Sequence, residues 1–306
     1  MGKITISGFY DEISGSLSKQ IAVLHELGER YMCPRNIDGK NIADYTFEEF
    51  EKDVYPTLKK EGIKFSSIGS PIGKVGIDDE EGFAKQKQQL AELVKIAQLM
   101  KCEYIRIFSF FYGDKKPEDC SAKVISRLKE LLAIVKGSGV KLMHENEKRI
   151  YGDVPSRVLE IYNAINDDDF VLCFDASNYI QCDVNPTEAF DTLKYLVVYY
   201  HIKDCSTYKV EVPVGTGEGH YEYIVGQLKA CGYEGFMTLE PHTFKYAVMK
   251  PLVYFVPFVK FAMKDYFKAF RLIDKKMGRN YFACASRKTV FLWQYNNLKK
   301  LISEAK

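Results

Sequence analysis

No surplus of one charge sign marks this chain: 43 basic and 41 acidic side chains leave a formal charge of +2 over 306 residues. A near-neutral balance gives no global field to gather nucleic acid or an anionic membrane, so a charged ligand must be held locally. Eight cysteines are scattered without a Cys-x-x-Cys pair, and no basic-then-apolar leader opens the chain. A reduced, cytoplasmic setting is therefore expected, with residues such as Cys173 serving as small core fillers. No unbroken apolar run is long enough to cross a bilayer. The most apolar stretch, YAVMKPLVYFVPFVKFA (246–262), is interrupted by Lys250, Pro251, Pro257 and Lys260. It reads as outer helical layer or as a contact with another subunit. The first apolar run leads into GFYDEIS, with none of the G-x-G-x-x-G turn that an open dinucleotide-binding sheet places there.

What is present is a repeating cycle of short apolar run, polar loop and amphipathic segment, the pattern of a parallel βα sheet. Strands are predicted at 4–8, 64–68, 104–108, 140–144, 170–174, 197–201, 210–214 and 236–239. The clearest helices are predicted at 83–101 and 120–136, where apolar residues recur three and four apart. Glycines stand between helix and next strand in EGIKF, GSGVKL and GYEGFMTLE, as expected of αβ connections. Eight strands in about 240 residues have the size of a (β/α)8 TIM barrel, whose functional groups gather at the carboxyl ends of the strands. On this reading residues 1–243 form the barrel core. Residues 244–306 add a closing helix and a C-terminal helical extension in the same domain, with a loop at 275–286 and a further helix at 288–302.

Four strand ends carry the chemistry. VKLMHE ends at Glu145, FVLCFD at Asp175, LVVYYH at His201 and GFMTLE at Glu240. Charged groups beside buried strands need a partner, and four at equivalent positions imply a shared one. Three carboxylates and an imidazole suit one divalent ion: Mn²⁺ first, with Co²⁺, Mg²⁺ or Zn²⁺ also compatible. For any one of these residues, a buried ion pair or a hydrogen-bonded core histidine is the plainer alternative. Glu145 and Glu240 come from well-separated strands. Two such carboxylates beside a Lewis acid are what proton removal next to a carbonyl requires, one taking the proton and the other returning it.

The motifs SSIGSPIG (66–73), YIRIFSF (104–110), HEN (144–146), FDASN (174–178), HIKD (201–204), VGTGEGHYEYI (214–224) and GYEGFMTLEPH (232–242) together resemble the sugar isomerase/epimerase superfamily built on the xylose-isomerase-like TIM barrel. Its relatives include tagatose and psicose 3-epimerases, inosose-processing enzymes and endonuclease IV. The resemblance, over about 4–242, implies a metal held by Glu145, Asp175, His201 and Glu240, with Glu145 and Glu240 as the acid/base pair. It departs from the ketose 3-epimerases where Asn178 and Thr207 replace a histidine and an arginine that touch substrate. Lys203 and Asp204 match a His-x-Lys-Asp form seen in inositol-related members. A lyase on the same barrel, a keto-inositol dehydratase or a C-glycoside deglycosidase subunit, is the alternative reading. Endonuclease-like repair would need further histidines on the second and third strands.

Substrate-binding candidates are Lys203, Arg106, His144, Asn178 and Asp204. Arg106 and Lys203 could bind a phosphate or a hydroxyl, or Arg106 could pair with a strand-end carboxylate. Strand alternation turns His144 away from Glu145, making it a packed histidine unless a bend brings it into the cleft. The Gly215-x-Gly217-x-Gly219 loop either offers N–H groups to a phosphate or forms a tight turn. His220 and His242 are loop residues near the mouth, solvated or facing substrate. Phe9, Tyr10, Phe110, Phe111, Tyr112 and Trp293 could wall a sugar site or simply pack. A small carbohydrate is the expected partner, with no nucleic acid and no membrane, and a dimer or tetramer the expected assembly.

Overall fold

The computed structural model describes residues 3–305. Eight short parallel strands form the ring: β1 (Ile4–Gly8), β2 (Tyr31–Met32), β3 (Lys64–Phe65), β4 (Tyr104–Ile107), β5 (Lys141–Glu145), β6 (Phe170–Asp175), β7 (Val197–Ile202) and β8 (Gly235–Leu239). Six of them make a continuous parallel sheet in the order β1-β8-β7-β6-β5-β4. The β2/β3 pair completes the circle. The Cys33 N–H donates to Gly8 O at 3.0 Å, and the Ile68 N–H donates to Tyr104 O at 2.9 Å. This is the TIM barrel predicted from the βα cycle.

Two strands differ from expectation, and each difference has a physical reason. The barrel's second strand is Tyr31–Met32, only two residues long and without an apolar run to announce it. The apolar segment 210–214 is not a barrel strand. Its Glu211–Val212 pairs antiparallel with Asp204–Cys205 in a small hairpin, and Val210 and Val212 pack on the extension with Tyr246, Phe270 and Val290. The four strand ends that carry Glu145, Asp175, His201 and Glu240 therefore belong to strands five to eight of the ring.

Helices Glu80–Met100 and Ser121–Val135 lie close to their predicted bounds. The first begins where the Asp79 carboxylate accepts the Gly82 N–H at 2.8 Å, with Glu80 and Glu81 in a first turn whose dipole favours acids. Beyond β8 come helices Phe244–Phe255, Pro257–Ala262, Lys264–Lys276 and Arg287–Glu304. Lys264–Lys276 went unread in the sequence, and only 277–286 of the predicted loop is non-helical. Inside the ring, Met143, Cys173 and Tyr199 form an apolar layer. Above it the Tyr199 hydroxyl meets Ser66 and Ser67 at 2.8 and 3.0 Å. His201 follows on the same strand, its ring edge-on to Tyr199 at 5.7 Å. Among the described residues no helix is long and apolar enough to cross a membrane.

Candidate metal and acid–base site

Alternation along β5 to β8 turns 143 and 145, 173 and 175, and 199 and 201 into the barrel, so Glu145, Asp175 and His201 rise from the same interior faces as the apolar layer. Glu240 follows β8 immediately. One ligand atom from each of Glu145, Asp175, His201 and Glu240 lies within 4.8 Å of all the others, and all four residues are buried. An ion with ligands at roughly 2.0–2.2 Å needs opposed atoms no more than about 4.4 Å apart. The set therefore needs to contract by only a few tenths of an ångström to close on one.

Unsatisfied atoms point the same way. Asp175 Oδ2, Glu240 Oε2 and both ring nitrogens of His201 are buried without a well-directed hydrogen bond. Buried polar atoms are rarely left so. His201 Nδ1 lies 2.9 Å from Glu145 Oε1 and 3.2 Å from Glu240 Oε2, and Asp175 Oδ2 lies 3.0 Å from Lys203 Nζ. Burial opposes charge on His201, but Cys173 and Glu145 favour it, and the net shift is well upward. Arg106, Lys203 and His201 are thus the basic groups set among the three carboxyl groups. The donor set and its orphaned atoms fit a divalent cation.

Arg106 lies at the centre of this arrangement. Its Nη1 is 3.2 Å from Glu145 Oε2 and 3.3 Å from Glu240 Oε1, while its other nitrogens donate to Ser70 O and Gly69 O. Of its sequence alternatives, the ion pair is the one observed. Burial pushes the pKa of both glutamates up, but His201 and Arg106 at Glu145, and Lys203 and Arg106 at Glu240, outweigh it and hold both below the ordinary carboxylate range. At Asp175 burial wins over Lys203, and the pKa is raised. Asn178 binds the site from the side: its N–H donates to Asp175 Oδ1 at 3.0 Å and its Nδ2 to Asn146 O at 2.8 Å and Glu145 Oε1 at 3.4 Å.

Two substrate-binding candidates lie elsewhere. Asp204 accepts the N–H groups of Cys205, Gly215, Gly217 and Gly219 at 2.8 to 2.9 Å. It organises the glycine loop, and those N–H groups are turned onto a carboxylate and away from any phosphate. A Cβ at Gly217 would meet Cys205 O at 2.4 Å, so the loop closes only around glycine. Burial lifts the Asp204 carboxyl to about 6 against the pull of these N–H groups. Asp204→Ala is expected to cost about 2–4 kcal/mol, since hydrogen bonds to a charged acceptor contribute most of the loop's hold. Thermal unfolding together with faster amide exchange at Gly215, Gly217 and Gly219 would measure it.

His144 faces outward, as alternation predicts. It is fully buried, its ring stacks on Phe170 at 6.0 Å, and it packs so closely on Gly152 that a Cβ there would lie 2.5 Å from its Cε1. Burial lowers its pKa to about 4. Between pH 6.5 and 4 the unfolded chain binds a proton that the folded chain refuses, so stability falls as pH falls through that window, by about 3 kcal/mol once complete. His144→Leu should flatten this slope in unfolding curves measured across it.

Arg35 was not read from the sequence because the strand before it was not. Its Nη1 is 3.4 Å from Glu240 Oε1, and its Nε pairs with Asp11 at 2.9 Å. With His242, 3.4 Å from Glu240 Oε1, and the Lys74–Glu147 pair, it forms the part-exposed rim of the site. Phe9 lies beneath, edge-on to His201 at 5.2 Å and under both arginines. Tyr10 packs on Phe291 and Trp293 on Tyr246, away from the site.

A family model described as a xylose isomerase-like TIM barrel matches residues 21–252. The chain belongs to this family. No curated protein matches it by sequence. Among solved structures, IolI with a bound zinc atom is similar over 99% of both chains, at TM-score 0.69 and 14% identity. L-ribulose 3-epimerase is similar over 100% of this chain and 96% of its own, at 0.67 and 15%. A family member from Mycobacterium smegmatis in complex with magnesium is similar over 94% and 89%, at 0.65 and 16%. At such identities the likeness is one of fold. The metal-bearing neighbours sharpen the question posed by the four buried ligand atoms.

Proposed function

We propose that this family member is a divalent-metal-dependent isomerase or epimerase of an unphosphorylated sugar or cyclitol. The observation that carries the reading is the convergence of Glu145, Asp175, His201 and Glu240 within 4.8 Å, with the two glutamates arriving from strands three places apart. When bound, the cation would polarise a substrate carbonyl and offset the negative charge that develops on its oxygen. Glu145 and Glu240, both held ionised, are each able to accept a proton from a carbon beside that carbonyl and return it to the same or the neighbouring carbon. Asn178 and Arg106 fix the glutamate side chains before substrate arrives. Lys203, buried beside Asp175, would be the cation to meet a substrate oxygen.

The glycine loop, occupied by Asp204, supports a free sugar over a sugar phosphate. Eight unpaired cysteines are consistent with a reducing, cytoplasmic setting. The test is incubation with Mn²⁺ and a panel of ketoses and inososes in deuterated water. Deuterium incorporated into products of unchanged carbon skeleton supports the proposal. Loss of water or release of an aglycone would replace it by elimination, and absence of exchange across the panel in metal-loaded protein would count against proton-transfer chemistry.

A further inference from the structure

The near-neutral total charge conceals a strongly uneven distribution. Residues 244–288 hold eleven basic and two acidic side chains, a net +9, which leaves the rest of the chain at −7. One of the two acids, Asp274, is buried in the extension, where it pairs with Lys250 at 2.7 Å and accepts from Tyr254. It offsets nothing outside. Helix Lys264–Lys276 buries Ala269, Phe270 and Ile273 and exposes Lys264, Lys268, Arg271 and Lys275, spaced four, three and four apart along one face.

The preceding helix carries apolar side chains that nothing among the described residues covers. Phe258 and Phe261, three apart on helix Pro257–Ala262, are 80% and 84% exposed, and that helix has no buried residue. Leu252, Phe255 and Phe282 continue the surface, the last two stacked at 5.8 Å. Scattered exposed apolar residues need no explanation, but a contiguous aromatic patch does.

We propose that the face formed by helices Phe244–Phe255, Pro257–Ala262 and Lys264–Lys276 lies on an anionic lipid bilayer, with Phe258 and Phe261 inserted at the headgroup level and the Lys264–Lys275 stripe over the acidic headgroups. Aromatic side chains set beside a basic helix face are the pattern of in-plane interfacial binding, and basic side chains close to an acidic leaflet each add attraction. A second copy is the weaker occupant, because a two-fold interface brings each patch against itself and would set two +9 segments face to face. The whole-chain charge gave no reason to expect a membrane partner; its distribution does.

The test is co-sedimentation of the full chain with vesicles of phosphatidylcholine alone and of phosphatidylcholine with about one third phosphatidylserine. Binding to the anionic vesicles only, weakened by added salt, is expected. Phe258→Ser/Phe261→Ser and Lys264→Glu/Lys268→Glu should each lower the partition at least tenfold with unchanged thermal unfolding, since all four side chains are exposed. Three results would overturn the proposal: no binding to anionic vesicles, binding by both double variants as strong as that of the wild type, or a wild-type dimer that Phe258→Ser/Phe261→Ser converts to monomer, which would place this face between copies.

Discussion

Glu145→Gln and Glu240→Gln should each lower turnover by 10²- to 10⁴-fold, the range a positioned acid or base contributes, and should suppress solvent-proton exchange into substrate while the barrel stays folded. The amide keeps the shape of the carboxylate and can still accept from Arg106 Nη1, which lies 3.2 and 3.3 Å from the two glutamates. What it removes is basicity. Because the glutamates arrive from β5 and from the end of β8, with two strands between them, each has its own approach to the substrate. Single-turnover exchange then separates their parts: if one removes the proton and the other delivers it, the two variants fail from opposite directions of the reaction. Full retention of exchange in both would remove Glu145 and Glu240 from the chemistry. Loss of exchange together with loss of the folded signal would assign them only to the charge balance, which circular dichroism on the same samples would reveal.

The parts legible in the sequence are those where local pattern and tertiary role coincide. Strand ends at Glu145, Asp175, His201 and Glu240 could be read because each apolar run is long enough to stand out and because period-two alternation fixes which residue faces inward. The same alternation set His144 outward, against Phe170 and Gly152. Where a strand is two residues long, as at Tyr31–Met32, there is no period to detect, and Arg35 was lost with it. At 210–214 the apolar signal was real but its cause was the extension core around Tyr246 and Phe270. Asp204 shows a third limit. Its four N–H donors come from Cys205 and from glycines eleven to fifteen residues later, a closure that sequence spacing alone does not reveal. The cationic stripe of 264–276 failed to register because counting charge over the whole chain averages it away.

Arg106→Met should be the most destabilising substitution in the site when no metal is added, and the one that metal most relieves. The guanidinium packs on the rings of Phe9 and Phe108, each about 5.0 Å away, and with His201 is shared by Glu145 and Glu240. Removing one partner from a buried ion-pair set costs about 3–5 kcal/mol because the remaining charges stay buried without compensation; in a chain of this size that lowers Tm by roughly 6–20 °C. The three carboxyl groups then face Lys203 and His201, with Arg35 and His242 reaching only Glu240 from the rim. A divalent cation at the four ligand atoms would restore the balance, so Mn²⁺ should raise Tm more in the variant than in the wild type, by the linkage between binding and folding. Arg106→Lys, which keeps the charge but not the fork whose other nitrogens hold Ser70 O and Gly69 O, should fall between the two. Because His201 must give up its proton to ligate, the Mn²⁺-dependent gain should shrink as pH falls. Thermal melts of the three proteins with and without Mn²⁺ across a pH series would decide the matter. Equal melting of Arg106→Met and wild type in metal-free buffer would mean that the carboxylates do not need this cation, and an Mn²⁺ response no larger in the variant would mean that ion and arginine do not share the same charges.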